Sequence, residues 1–271
     1  MRTIIVATDF SDIAENAVEY AATGASIINA RIVLFNAFKL PLHASNTILS
    51  VENVQSMIDK NKLRLENRAN DLIKRHDIEV AIESSLLNVE DEVERLIEEY
   101  DAEMVIMGMA KRSLEQDLLG NTTTNVIQKL KFPVLAVPQG VSFKPVKRIL
   151  YACDVVRGIH KTILERIKDI ARSWNAEVEV FNVQEKIVEL QEGSLSTNDP
   201  LKEEMTDIQY LYKNIASNTI IKEIRNEIVS YQPDVLIMVP NRYGFWSSIV
   251  HRSKTRMMAA GLDVPLLSIP I

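Results

Sequence analysis

The sequence predicts an α/β protein of two tandem open-sheet domains, each a five-stranded parallel sheet flanked by helices. Internal repetition is the first ground for this. Arg2-Thr-Ile-Ile-Val-Ala-Thr-Asp9 recurs 145 residues later as Lys147-Arg-Ile-Leu-Tyr-Ala-Cys-Asp154, and Val33-Leu-Phe-Asn-Ala37 recurs as Glu179-Val-Phe-Asn-Val183. Tyr100-Asp-Ala-Glu-Met-Val-Ile-Met107 is answered by Tyr231-Gln-Pro-Asp-Val-Leu-Ile-Met238, and Phe132-Pro-Val-Leu-Ala-Val-Pro138 by Val264-Pro-Leu-Leu-Ser-Ile-Pro270. Four matched pairs in one order define two copies of one domain, 1–140 and 141–271. Alternation is the second ground: short β-branched runs take turns with longer amphipathic stretches, as parallel βαβ units require. Length is the third, since 271 residues divide into two cores of ordinary size.

In the first copy, Thr3–Thr8 reads as a buried strand, and Phe10-Ser11-Asp12 offers cap chemistry for a helix over 13–28 with Ala14, Ala17, Val18 and Ala21 on one face. Arg31–Asn36 is the second strand. A loop through Pro41 leads to a long helix over 51–75, whose apolar positions Met57, Leu63, Leu65 and Leu72 fit a loose helical period. A strand over 78–84, a helix over 89–99, a strand over 104–108, a helix over 121–130 and a last strand over 134–137 follow. Gly140–Lys147 is a connector too short to let the copies wander. The second copy is read as strand 148–152, helix 161–174, strand 177–182, a mobile polar loop containing Gln191–Pro200, and strands near 207–212, 235–239 and 266–269.

Composition narrows the function. Hydrophobic residues make up 46% and charged residues 25%, ordinary for a globular protein, and no apolar run approaches the roughly 20 residues of a membrane span. The start of the chain lacks the succession of a signal peptide, and the single Cys153 fits a reducing compartment, so a cytoplasmic location is expected. Cys153 itself reads as a buried, inert thiol. A net charge of −6 argues against general nucleic-acid binding. The acidic excess lies in the first copy, with 14 Lys/Arg against 21 Asp/Glu over residues 1–140; Glu90–Glu103 holds much of it and reads as a solvated helix face. His43, His76, His160 and His251 are scattered and form no metal-ligand spacing.

Candidate chemistry gathers after the fourth strand of the first copy. Gly108 at the strand's end permits close backbone approach, and Gly120-Asn121-Thr122 opens the last helix with backbone N–H groups and hydroxyls that suit an anion. Asp9 ends the first strand on the same edge, where open α/β sheets bind ligands and where a carboxylate accepts from ribose hydroxyls or an adenine amine. The same residues also serve as an ordinary loop and helix cap.

Ala7-Thr-Asp-Phe-Ser11, Phe35-Asn-Ala37, Val105-Ile-Met-Gly108, Leu119-Gly-Asn-Thr-Thr123 and Pro133-Val-Leu-Ala-Val-Pro138 together resemble the universal stress protein family in its tandem form, over essentially the whole chain. The resemblance implies the adenine-nucleotide alpha-hydrolase-like fold and binding of ATP or AMP, with or without Mg²⁺, through a Gly-x2-Gly-x9-Gly-(Ser/Thr) loop. Gly108 matches its first glycine, Gly120 its third, Asn121 and Thr122 the hydroxyl position and its neighbour, Asp9 the acidic residue near the nucleoside, and Ala37 the position whose backbone faces adenine. Lys111 replaces the second glycine and the loop is one residue short. The lysine adds charge for a phosphate, or fills the phosphate space. In the second copy Val239, Arg242 and His251 stand at the glycine positions, and a basic stretch over Trp246–Arg256 enters the last helix.

The expectation is therefore a stress-response binding and signalling module with a nucleotide site in the first domain. The alternatives are a nucleotide-free scaffold or chaperone-like protein, and a slow ATPase; no set of residues reads as catalytic. The resemblance also implies an internal pseudo-dimer through the last strands, Val134–Val137 and Leu266–Ile269, and allows a homodimer.

Overall fold

A computed structural model describes residues 1–38, 51–109, 121–153, 161–184, 201, 205, 207–217, 219–240 and 263–270. Contacts divide the chain into two compact units, with the boundary between Phe143 and Lys144. In the first unit the described elements are β1 (Thr3–Ala7), α1 (Asp12–Ile28), β2 (Arg31–Ala37), α2 (Val51–His76), β3 (Val80–Ser85), α3 (Val89–Tyr100), β4 (Met104–Met109), α4 (Asn121–Lys129) and β5 (Val134–Pro138). The strand order is β3-β2-β1-β4-β5 and every pairing is parallel. β1, which lies between β2 and β4, is apolar after Thr3 because helices cover both sheet faces.

Local chemistry sets the helices. Ser11 caps α1 by accepting the Ala14 N–H at 3.3 Å, and Asn29 ends it in the left-handed conformation at φ 52°. Its inner face is small, with Ala14, Ala17, Ala21, Ala22, Gly24 and Ala25 buried, so the helix lies close to the sheet. A methyl group on Gly24 would stand 2.8 Å from the Phe143 ring, which also packs edge-on against Tyr20 at 5.2 Å. Asn16 donates to the Pro138 and Val141 carbonyls at 3.1 and 3.2 Å, fixing the chain that leaves β5.

On α2 the stripe Asn61, Leu65, Ala69 and Leu72 is buried, whereas Leu63 is exposed. Arg68 on α2 reaches Glu15 (2.5 Å) and Glu19 (2.6 Å) on α1, and Arg75 also engages Glu19 at 2.5 Å. His76 lies 3.2 Å from the same Glu19 carboxylate. Burial alone would raise the Glu19 carboxyl. The hydrogen bonds from Arg75 and Arg68 outweigh it and hold the group at about 2.

The second unit contains β6 (Arg148–Cys153), α5 (Lys161–Trp174), β7 (Glu177–Gln184), β8 (Tyr210–Ala216), α6 (Ile220–Tyr231), β9 (Val235–Met238) and β10 (Leu266–Ser268). Its order, β10-β9-β6-β7-β8, is again all parallel and reproduces the first unit strand for strand. Asp234 anchors its entry: one oxygen accepts from the Lys147 and Arg148 N–H groups at 2.7 and 2.9 Å, and the other pairs with Lys144 at 2.7 Å. β8 starts three residues later than the strand expected near 207, and α6 was not foreseen. The loop Gln191–Pro200 lies outside the described residues. No described helix is long and apolar enough to cross a membrane.

The depressed Glu19 carboxyl predicts a pH signature. Its contribution is present above the ordinary carboxyl value near 4.5 and is lost as pH falls towards 2. The stability difference between wild type and Glu19→Gln, measured by urea unfolding, should therefore be largest near neutrality and vanish at about pH 2.

Candidate functional site

Strand order reverses between β1 and β4, and in open parallel sheets the crevice at such a reversal, beyond the carboxyl ends, is the ligand position. Thr8 stands there, just past β1, with its polar groups committed. Its N–H donates to the Phe35 carbonyl (2.8 Å), its hydroxyl donates to Glu15 (2.8 Å) and accepts from the Phe10 N–H (2.9 Å). Its carbonyl accepts from Asn36 at 2.6 Å. Asn61 on α2 in turn donates to Asn36 Oδ1 (2.9 Å) and Ser84 Oγ (3.1 Å), so a buried amide relay joins β1, β2, β3 and α2. Sequence reasoning had not assigned a role to Asn61; the relay couples residues 25 apart in the chain, which periodicity does not reveal.

Asp9 is exposed at this edge, with one carboxylate oxygen accepting the Ser11 N–H at 2.9 Å. The turn bends through Phe10, whose φ of 60° is a strained value for a residue with a side chain. The Arg64 guanidinium lies 4.1 Å from the Phe10 ring centroid, a cation–π contact that steadies the turn.

Ala37 ends β2 in register with Ser85, half-exposed. Beside it a cleft of about 430 Å³ opens between α2 and the end of β3, lined in part by Phe38, Ile58, Lys62 and Leu86. Gly108 lies near the end of β4. A Cβ there would stand 2.6 Å from the Ile13 carbonyl oxygen, so the glycine admits the first turn of α1. The group that needs the missing side chain is thus a backbone of the same unit. Thr123 is buried and donates to the Gly108 carbonyl at 3.0 Å, which fastens the start of α4 over β4; Thr122 beside it is exposed. Asn121 is the first residue of α4.

Asp9, Ala37, Gly108, Asn121 and Thr122 therefore share the carboxyl edge of one sheet, while Lys111 and Gly120 lie outside the described residues. In the second unit Asp154, Arg242, His251 and the Trp246–Arg256 segment also lie outside them. Val239 follows β9 where Gly108 stands in β4, so that position carries a side chain. Asn182 is kept and fully buried, but it donates to Asn214 on β8 at 2.9 Å. Cys153 is buried, and no cluster of acidic, His or Cys side chains able to hold a metal occurs among the described residues.

Gly108→Ala should overpack α1 against β4 and lower stability by about 1–3 kcal/mol. Urea unfolding followed by circular dichroism checks this; no loss would mean that α1 can shift away from Gly108.

The chain resembles a universal stress protein from Archaeoglobus fulgidus DSM 4304 at 17% identity, over 99% of this chain and 96% of that one, with a TM-score of 0.72. A putative universal stress protein from Pseudomonas aeruginosa UCBPP-PA14 is 13% identical over 100% of this chain and 93% of its own, with a TM-score of 0.54. A universal stress protein solved in complex with cAMP covers 51% of this chain with 98% of its own, at 22% identity and a TM-score of 0.40. No curated protein sequence matches the chain. The universal stress protein family model matches residues 1–138, the span that holds the whole β3-β2-β1-β4-β5 sheet and its carboxyl edge, and on that match the chain belongs to the universal stress protein family.

Proposed function

We propose that this chain is a cytoplasmic stress-response module whose first unit binds an adenine nucleotide, ATP or AMP, while the second unit has lost that capacity. The observation that carries the reading is the convergence of Asp9, Ala37 and the start of α4 on the carboxyl edge at the strand reversal. The exposed Asp9 carboxylate suits ribose hydroxyls or an adenine amine. The Ala37 backbone, next to the cleft, suits the base. The N–H groups that open α4 with Asn121 and Thr122 suit phosphate, and Lys111 adds charge. With Val239, Arg242 and His251 in place of glycines, the second unit lacks that cradle, so ligand state would differ between the repeats. The two domains, 1–140 and 141–271, then act as a sensing copy and a divergent copy.

A nucleotide-free scaffold is the competing reading, and Gly108 favours it. Because Ile13 already occupies the space that glycine vacates, Gly108 needs no ligand to account for it. Lys111 filling the phosphate space would complete that picture.

Titration calorimetry with ATP and AMP separates the two. One nucleotide per chain is expected, lost in Gly120→Val and weakened at least tenfold in Asp9→Ala. Absence of binding heat at millimolar nucleotide in wild type, restored in Lys111→Gly, would establish the scaffold reading.

A further inference from the structure

In the second unit α6 packs on β7, and at this contact the two repeats differ in charge. Aligning Phe35-Asn36 with Phe181-Asn182 and Tyr100 with Tyr231 places Val33 opposite Glu179 and Leu96 opposite Glu227. Val33 and Leu96 are fully buried in the first unit. Their counterparts are buried as well, Glu179 at 6% exposure and Glu227 at 5%, so a carboxyl pair occupies ground that the other repeat gives to hydrocarbon.

Among the described residues, the groups around the pair do not neutralise it. Lys213 on β8 is ion-paired with Glu227, and its ammonium lies 5.8 Å from the Phe181 ring centroid. Ser230 on α6 donates to Glu227 at 2.8 Å. Glu177, two residues before Glu179 on β7, accepts from the Tyr231 hydroxyl of α6 at 3.2 Å. Arg148 on β6 is turned to Tyr231, donating to its carbonyl at 2.8 Å and lying 5.8 Å from its ring centroid. Glu179 Oε1 is buried and has no hydrogen-bond partner among the described residues. Two desolvated carboxyls against one ammonium leave one negative charge uncompensated, and an orphaned buried carboxylate oxygen is costly. A single proton held between the two acids removes the excess charge and turns their repulsion into a hydrogen bond.

We propose that Glu179 and Glu227 form a one-proton site that makes the docking of α6 on β7 pH-sensitive, closed while the proton is held and loosened once it leaves. Burial and the neighbouring Glu227 charge push the Glu179 carboxyl up to about 7, with Lys213 opposing them. The sign follows directly. The docked state keeps a proton that an opened, hydrated Glu179 gives up above about 4.5, so docking is strongest at low pH and weakens as pH rises towards 7. Above 7 both states are deprotonated and the dependence levels off.

Hydrogen–deuterium exchange of the full chain between pH 5 and 8.5, corrected for intrinsic exchange rates, tests this. One proton lost on opening raises the opening constant of Ile220–Tyr231 by about tenfold per pH unit between 5 and 7, with a plateau above. Val89–Tyr100, the helix with Leu96 in place of Glu227, should stay flat, and Glu179→Gln should abolish the slope. A flat profile for Ile220–Tyr231, an equal slope in Val89–Tyr100, or an unchanged slope in Glu179→Gln overturns the proposal. Should that variant fail to fold, carboxyl carbon-13 resonances of glutamate-labelled wild type decide: a group titrating near 7 supports the one-proton site, and glutamates all titrating below about 5.5 overturn it.

Discussion

The end of β1 is the constraint from which much of the first unit follows. A central parallel strand is closed on both edges by neighbours and on both faces by helices, so its last polar residue must find its partners inside the protein. Thr8 does so through Phe35, Asn36, Phe10 and Glu15. The four partners come from three pieces of structure: β2, the turn, and α1. The Glu15 bond passes the constraint on to Arg68 and α2, and the Asn36 bond passes it to Asn61 and β3. The exposed carboxylate of Asp9, one residue later, is therefore presented from a rigid base rather than from a loose loop.

Much of the architecture was legible because it rests on local rules. Ser11 and the alanine stripe announce α1, and apolar runs closed by turn residues announce the strands. The failures have equally physical origins. Leu63 fits the apolar spacing of α2 yet points to solvent, because the stripe that faces the sheet is centred on Asn61 and Leu65. In α6 the inward face carries Glu227 at the position where Leu96 sits in α3, so the hydrophobic period breaks and the helix escapes notice. The carboxyl-edge placement of Asp9 and Gly108 was legible in the sequence, but the residues that support that edge were not. Asn61 is one polar residue among many on a charged helix until folding brings it against Asn36.

Gly108 shows how one residue can be read two ways. A glycine at a strand's carboxyl end matches a ligand-binding motif, and the missing Cβ is indeed needed for close approach. What approaches is the Ile13 carbonyl. The two uses are compatible, since drawing α1 and α4 tightly over β4 is also what would shape a crevice at the strand reversal. The second unit has Val239 at this position while keeping the same strand order, so the sheet itself does not depend on the glycine.

The clasp of Phe143 over Tyr20 and Gly24 belongs to the first repeat, although it follows that repeat's last strand. Fusing two copies end to end has thus let the junction donate an aromatic lid to the copy behind it, while Asp234 grips the chain four residues further on for the copy ahead. A first repeat excised at Gly140 would leave a glycine-floored notch beside an uncovered tyrosine edge. A fragment of the first repeat that keeps this contact therefore ends no earlier than Phe143.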